Sequence, residues 1–181
     1  MSENDRHVVL YLAVSLDGHV ARRDGSVDWL PTEGPEDHGY AQFLSTVDTV
    51  VMGRTTYEQL LTFGPYPYRG MEGYVFTSRR RGQDANVRFV SGAVKTFASE
   101  LRSAPGKDIW LVGGARLAQS FLAAGEVDRV IITVVPRLLG EGIPLFGRGP
   151  ERPLRLVSCE TFSDGLVQLR YGVDDLTRAL P

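Results

Sequence analysis

The sequence has little cysteine, no long apolar run and almost no net charge. It has 181 residues and one cysteine, Cys159, so no internal disulfide can form and the fold must rest on its core. No apolar run approaches the ~20 residues that a helix needs to cross a bilayer, which argues against a membrane partner. Neither charge dominates: 20 Lys and Arg stand against 22 Asp and Glu, a formal net charge of −2. The basic excess of a dedicated nucleic-acid binder is missing. The three histidines, His7, His19 and His38, lack ligand spacing and cysteine partners, so no metal site is expected. There is no Ser-His-Asp set on an elbow motif, and no repeat or low-complexity tract. Residues Met1 to Arg6 are polar and charged, unlike an export signal, and a cytoplasmic protein is the expectation.

What is present is ordinary globular composition, 43% apolar and 23% charged, enough for one domain with a full core over residues 1–181. Continuous β-branched and aromatic runs predict buried strands at His7 to Val14, Val50 to Met52, Tyr74 to Thr77, Val87 to Val90, Ile109 to Val112 and Val130 to Val135. Leu154 to Cys159 and Leu166 to Val173 alternate across the turn signal Phe162-Ser163-Asp164-Gly165, which predicts an antiparallel hairpin. Helical stripes run through Tyr40, Phe43, Leu44 and Val47; Tyr57, Leu60 and Leu61; Val94, Phe97 and Leu101; and Leu117, Phe121 and Leu122. Alternation of the two kinds predicts an α/β protein. Its central sheet is mixed and mostly parallel, with about eight strands, about four helices on its two faces, and a C-terminal antiparallel hairpin. The stretch Thr62 to Gly73 reads as a loop.

Open α/β sheets bind ligands beyond the C-terminal ends of their strands, and three such ends are informative. At Val50-Val51-Met52-Gly53-Arg54-Thr55-Thr56-Tyr57 a strand meets a glycine and then a helix start. The free amides of that start suit a phosphate, with Arg54 as a fixed positive charge. The plainer alternative is a capped helix with a surface arginine. At Ile109-Trp110-Leu111-Val112-Gly113-Gly114-Ala115-Arg116-Leu117 the pattern repeats, without the third glycine of a G-x-G-x-x-G fingerprint or the lysine of a P-loop. This is either a tight structural turn or the second side of a dinucleotide pyrophosphate site. At Val75-Phe76-Thr77-Ser78-Arg79-Arg80-Arg81 two hydroxyls and three arginines form either a solvated basic turn or a grip on a further phosphate, such as the one that separates NADPH from NADH.

Together these motifs resemble the dihydrofolate reductase fold family, in particular the bacterial branch holding the C-terminal reductase domain of the riboflavin-biosynthesis deaminase-reductase. The likeness opens at Ser15-Leu16-Asp17-Gly18-His19-Val20-Ala21, continues through Val47 to Tyr57 and Val112-Gly113-Gly114, and closes at Pro136-Arg137-Leu138-Leu139-Gly140-Glu141-Gly142. The resemblance implies a three-layer dihydrofolate reductase-like fold and NADPH as cofactor. It places Ala13, Val20 and Ala21 beside the nicotinamide. Gly53, Arg54, Thr55 and Thr56 fall on the pyrophosphate side and at the 2′-phosphate, and Thr77, Ser78 and Arg79 at the adenosine end. Val112, Gly113, Gly114, Ala115, Arg116 and Leu117 fall along the pyrophosphate and the nicotinamide edge, with the Gly113–Gly114 peptide cis.

By the same resemblance Asp37 matches a carboxylate of the first helix and Thr133 its supporting threonine. A carboxyl buried in the pocket would have a raised pKa and relay a proton. The alternative for Asp37, beside Glu36, is an acid favoured in a first helical turn. Trp29, Tyr40 and Leu60 are expected to shape the substrate pocket. Glu72 and Ala118 stand where the folate enzymes carry an arginine and a tyrosine, and no paired-cysteine zinc pattern of a deaminase occurs. Arg69 and Lys107 are either cations for a substrate phosphate or plain surface residues. Cys159 is expected to be a small core residue. The implied activity is NADPH-dependent reduction of a small heterocycle, of the 5-amino-6-(5-phosphoribosylamino)uracil reductase type. A weak dihydrofolate reductase and a non-catalytic NADPH-binding module stand as alternatives. A homodimer is expected, with Val130 to Val135 and Leu166 to Val173 as its surface.

Overall fold

The chain is described over residues 6–31, 37–79 and 83–174 by a computed structural model; Glu36, Arg80 and Arg81 lie outside the described residues. Six strands run parallel: β1 (Val8–Ser15), β3 (Val47–Gly53), β4 (Glu72–Phe76), β5 (Val87–Val90), β6 (Asp108–Gly113) and β7 (Arg129–Val135). The hairpin β9 (Leu154–Thr161) and β10 (Val167–Val173) completes the sheet in the order β5-β4-β3-β6-β1-β7-β10-β9, with β10 antiparallel to β7. A two-stranded ribbon of β2 (His19–Ala21) and β8 (Ile143–Pro144) stands apart. Its strands are too short to show a hydrophobic period, so sequence pattern does not reveal them.

Burial on both faces explains the unbroken apolar runs. Val8, Leu10, Leu111 and Val130 face a cluster closed by Ala98 and Leu101 of α3 (Val94–Ser103) and by Ala118 and Phe121 of α4 (Ala115–Ala124). Val9, Tyr11, Trp110 and Ile131 face the other side, under Phe43 of α1 (Tyr40–Thr46) and Tyr57 of α2 (Arg54–Thr62). The segment between α2 and β4 has no regular structure, yet Tyr66 and Tyr68 bury their rings in the second cluster.

Two expectations need correction. Helix α1 begins at Tyr40, so Asp37 precedes the helix and lies outside its first turn. Cys159 is exposed rather than buried, because β9 is the outermost strand and each of its residues is exposed. Both edges of β7 are occupied, by β1 and β10, and β10 is covered by β9. Among the described residues the open edge on that side therefore belongs to β9, and an edge contact with a second copy would use β9 rather than β7 or β10.

Candidate functional site

Neighbouring strands β3 and β6 send their chains to opposite faces, into α2 and α4. This divergence opens a crevice at the strand ends. Both helices start at glycine N-caps, Gly53 and Gly114, and neither N-cap makes a side-chain capping bond. Their first-turn amides are therefore not taken up by a cap side chain, and both positive dipole ends point into the crevice. Proximity is tightest at Gly114; a Cβ on Gly53 would make only ordinary contact. A Cβ on Gly53 would lie 3.7 Å from Gly114 N, and one on Gly114 would lie 3.1 Å from Thr56 Oγ1. The Gly113–Gly114 peptide is cis, with Gly113 at φ 127°. A cradle of amides that any side chain would fill fits an anionic, extended group such as a dinucleotide pyrophosphate.

The other matched residues border this crevice less uniformly. Thr55, Thr56, Ala115, Arg116 and Leu117 lie in the first turns of α2 and α4. Val112 packs into the cluster under α1 and α2, and Leu117 into the opposite one. Thr77, Ser78 and Arg79 follow β4, where the Thr77 hydroxyl accepts the Arg79 amide at 3.1 Å and Ser78 and Arg79 are exposed. The Arg54 guanidinium donates to Glu58 at 2.6 Å. Val20 packs against the α3–α4 cluster and Ala21 is buried in the ribbon. Of the two spare cations, Lys107 donates to the Ser45 carbonyl beside the N-terminal end of β6, away from the crevice, and Arg69 is an exposed loop residue.

On the α1 face, Ala13, Thr133 and Gln168 stand in register across β1, β7 and β10. Gln168 is fully buried. Its amide nitrogen lies 3.2 Å from Thr133 Oγ1, 3.2 Å from the His38 carbonyl and 3.3 Å from the Tyr11 hydroxyl. Burial pushes the Tyr11 phenol above its ordinary range; hydrogen bonds from Thr133 and Gln168 and the Arg170 charge act against this, and the Asp37 charge adds to it. Tyr11, Tyr40, Phe43, Tyr68 and Trp110 form an aromatic floor with mostly tilted and edge-on contacts. Leu60 packs at the border of the same cluster.

Asp37 behaves as a cap. Its two carboxylate oxygens accept the amides of Gly39 (2.9 Å) and Ala41 (3.0 Å). These bonds, Ala41 first, hold its carboxyl below the usual range, the opposite of the raised pKa that a proton relay requires. Trp29 is 2% exposed and closes a small cluster with Val135, Leu166 and Ala13. Its indole N–H meets no acceptor among the described residues.

Sequence pattern alone passes over Tyr11, Tyr68 and Gln168. The available signal is a polar atom inside an otherwise apolar strand, since a buried hydroxyl or amide must find a partner.

A family model described as the RibD C-terminal domain matches residues 6–168. The uncharacterized protein YwjB of Bacillus subtilis (strain 168) is 45% identical over 171 residues, covering 92% of this chain and 98% of that one. The riboflavin biosynthesis protein RibD of Corynebacterium ammoniagenes is 28% identical over 152 residues, covering 76% of this chain and 45% of that one. A crystal structure from Shewanella sp. PV-4, named for riboflavin biosynthesis, superposes with a TM-score of 0.85 at 28% identity, covering 93% of this chain and 99% of that one. A dihydrofolate reductase from Enterococcus faecalis, complexed with NADP(H), shares the fold at a TM-score of 0.65 and 18% identity, covering 95% of this chain and 98% of that one.

Proposed function

The chain belongs to the RibD C-terminal domain family, and on that footing we propose that it is an NADPH-dependent reductase. Its substrate would be a small heterocycle of the 5-amino-6-(5-phosphoribosylamino)uracil type. The observation that carries this reading is the pair of helix N-termini, free of side-chain caps, that meet across Gly53 and Gly114 at the divergence of β3 and β6. When bound, NADPH supplies the hydride.

The chain supplies position and dryness. The amides opening α2 and α4 hold the pyrophosphate. Arg54 and Arg79 are the cations for the 2′-phosphate. Val20, Ala21 and Ala13 leave room for a flat ring at the end of β1. The aromatic floor of Tyr40, Phe43 and Trp110 excludes water from the face where the heterocycle stacks, with Leu60 at its border and Trp29 in the neighbouring cluster beside Ala13. A dihydrofolate reductase reading has less support: Asp37 is occupied by backbone amides, and Glu72 stands where an arginine would hold an acidic tail. We place the protein in the cytoplasm as a homodimer.

Titration with NADPH and NADH, followed by tryptophan fluorescence, tests the cofactor. Micromolar NADPH binding with NADH much weaker is the expected result. An equal weak response to both, or none, would reduce the strand ends to structural turns. Loss of NADPH absorbance on addition of 5-amino-6-(5-phosphoribosylamino)uracil then tests the substrate and separates an enzyme from a non-catalytic binder.

A further inference from the structure

Resting on the reductase reading above, we propose that the Tyr11 hydroxyl, gathered with Thr133 and Gln168 beneath the pocket, is the proton-donating group of this site in place of Asp37. Hydride addition to a C=N or C=O carbon leaves the π electron pair on the nitrogen or oxygen. That atom must take up a proton, and an acid within reach speeds the step. The reductant is a reduced nicotinamide dinucleotide; the proton has to come from the protein or from water. Asp37 has none to give at neutral pH, because both its oxygens accept backbone N–H bonds that favour the ionised form.

Tyr11 is placed for the task. It lies two residues before Ala13 on β1 and on the same face, about 7 Å along the strand. A ring that extends from Ala13 toward the start of β1 on that face would approach the phenol. Gln168 donates to the Tyr11 oxygen at 3.3 Å, and a bond with the Thr133 hydroxyl also favours the phenolate. With Gln168 donating to its oxygen, the phenol has its own O–H to give.

After transfer, the Tyr11 O–H bond is broken and the proton rests on the substrate. The phenolate is held by the same two donors and the Arg170 charge, and it is reprotonated from solvent. The charged and titratable neighbours of the phenol are Arg170 on β10, Tyr40 on α1 and Asp37 before it. Beneath the ring, Phe43 and Trp110 carry no charge. Because burial raises the phenol's pKa above its ordinary ~10, the donor form fills the whole neutral range.

The test is Tyr11→Phe, which keeps the ring and its burial. Single-turnover reduction of 5-amino-6-(5-phosphoribosylamino)uracil by NADPH is expected to slow about 100-fold, with NADPH affinity by fluorescence unchanged. The wild-type rate should be flat over roughly pH 6 to 9, whereas the variant's rate rises as pH falls, since its proton must come from solvent. A variant within about threefold of wild type at every pH would overturn the proposal, and so would an equal loss of rate and NADPH affinity without a pH slope, the mark of a merely structural hydroxyl.

A second measurement on the wild-type chain needs neither turnover nor that variant. With ζ-carbon-labelled tyrosine, the Tyr11 resonance, assigned through its perturbation in Thr133→Val, should move when NADPH binds. A resonance that stays fixed in the NADPH complex would rule Tyr11 out of the pocket. If wild type binds NADPH but reduces no uracil, the substrate class above falls, and the resonance alone decides Tyr11.

Discussion

Asp37 spends both carboxylate oxygens on backbone amides, of Gly39 and Ala41, and this fixes what its removal does. Its folded pKa is depressed, so its contribution to stability is present above the unfolded carboxyl range, about pH 4, and is lost as pH falls through the folded value. Asp37→Ala should lower the thermal midpoint at neutral pH, and the gap to wild type should close on acidification below about pH 4. NADPH affinity should not change. A midpoint difference that persists in acid would show that the carboxylate is not the stabilising form. Trp29 calls for a different expectation. A buried N–H without an acceptor costs about 1–3 kcal/mol, which offsets much of the loss of ring area on replacement. Trp29→Phe should therefore stay within about 1 kcal/mol of wild type in denaturant unfolding, where truncation of a large aromatic to Ala commonly costs about 3–5.

At the scale of elements, the proposed cofactor site is a relation between two helix starts, and Gly53 separates its structural from its functional requirement. Gly53 has φ −77° and ψ 157°, which any residue adopts, and a Cβ there would make ordinary contacts, 3.7 Å to Gly114 N and 4.0 Å to Leu117 Cβ. Gly53→Ala should fold with nearly wild-type stability while weakening NADPH at least about tenfold, ~1.4 kcal/mol. Gly114→Ala presses on Thr56 Oγ1 at 3.1 Å and should lose both affinity and stability. Equal NADPH affinity in Gly53→Ala and wild type, by fluorescence titration, would remove the pyrophosphate from this crevice.

Both starts are legible in the sequence because an apolar run that stops at glycine is a local signal; the strands of the large sheet, the helices and the hairpin are read in the same way, whereas the short ribbon of β2 and β8 is not. The polar group at Tyr11, Thr133 and Gln168 is not local. Its members lie on three strands, and only the register Thr133↔Gln168 and Ala13↔Thr133 brings them together. The true start of α1 escapes for a related reason, since an Asp that caps from outside a helix looks the same in sequence as one inside the first turn.

At the scale of the whole molecule, the sheet ends at β9 among the described residues. Leu156 and Val157 are 54% and 61% exposed, Leu154 is exposed beside them, and among the described residues the strand has a partner only on the β10 side. A long apolar edge strand invites pairing with another chain. The sequence of this strand, Leu154-Arg155-Leu156-Val157-Ser158-Cys159-Glu160-Thr161, is self-complementary about a two-fold axis between Val157 and Ser158. Antiparallel pairing there sets Arg155 across from Glu160 of the copy and Leu156 across from Cys159. Arg155 and Glu160 share a face, since they pair with Gly172 and Gln168 of β10, while Leu154, Leu156 and Cys159 share the other. The two-fold repeats each contact, so one substitution acts twice.

Light scattering should find a dimer for the wild-type chain. Arg155→Glu, which places like charges opposite each other at both ends of the seam, should weaken the dimer at least about tenfold, and adding Glu160→Arg should restore it by reversing both pairs. The Arg155–Asp174 contact at 3.6 Å within one chain is exposed and contributes little to the outcome. A monomer at working concentration, or an Arg155→Glu dimer as tight as wild type, would place the contact elsewhere or nowhere. Because β9 lies at the far side of β10 from Thr133, loss of the dimer should leave NADPH affinity intact, which separates assembly from the cofactor site in one pair of variants.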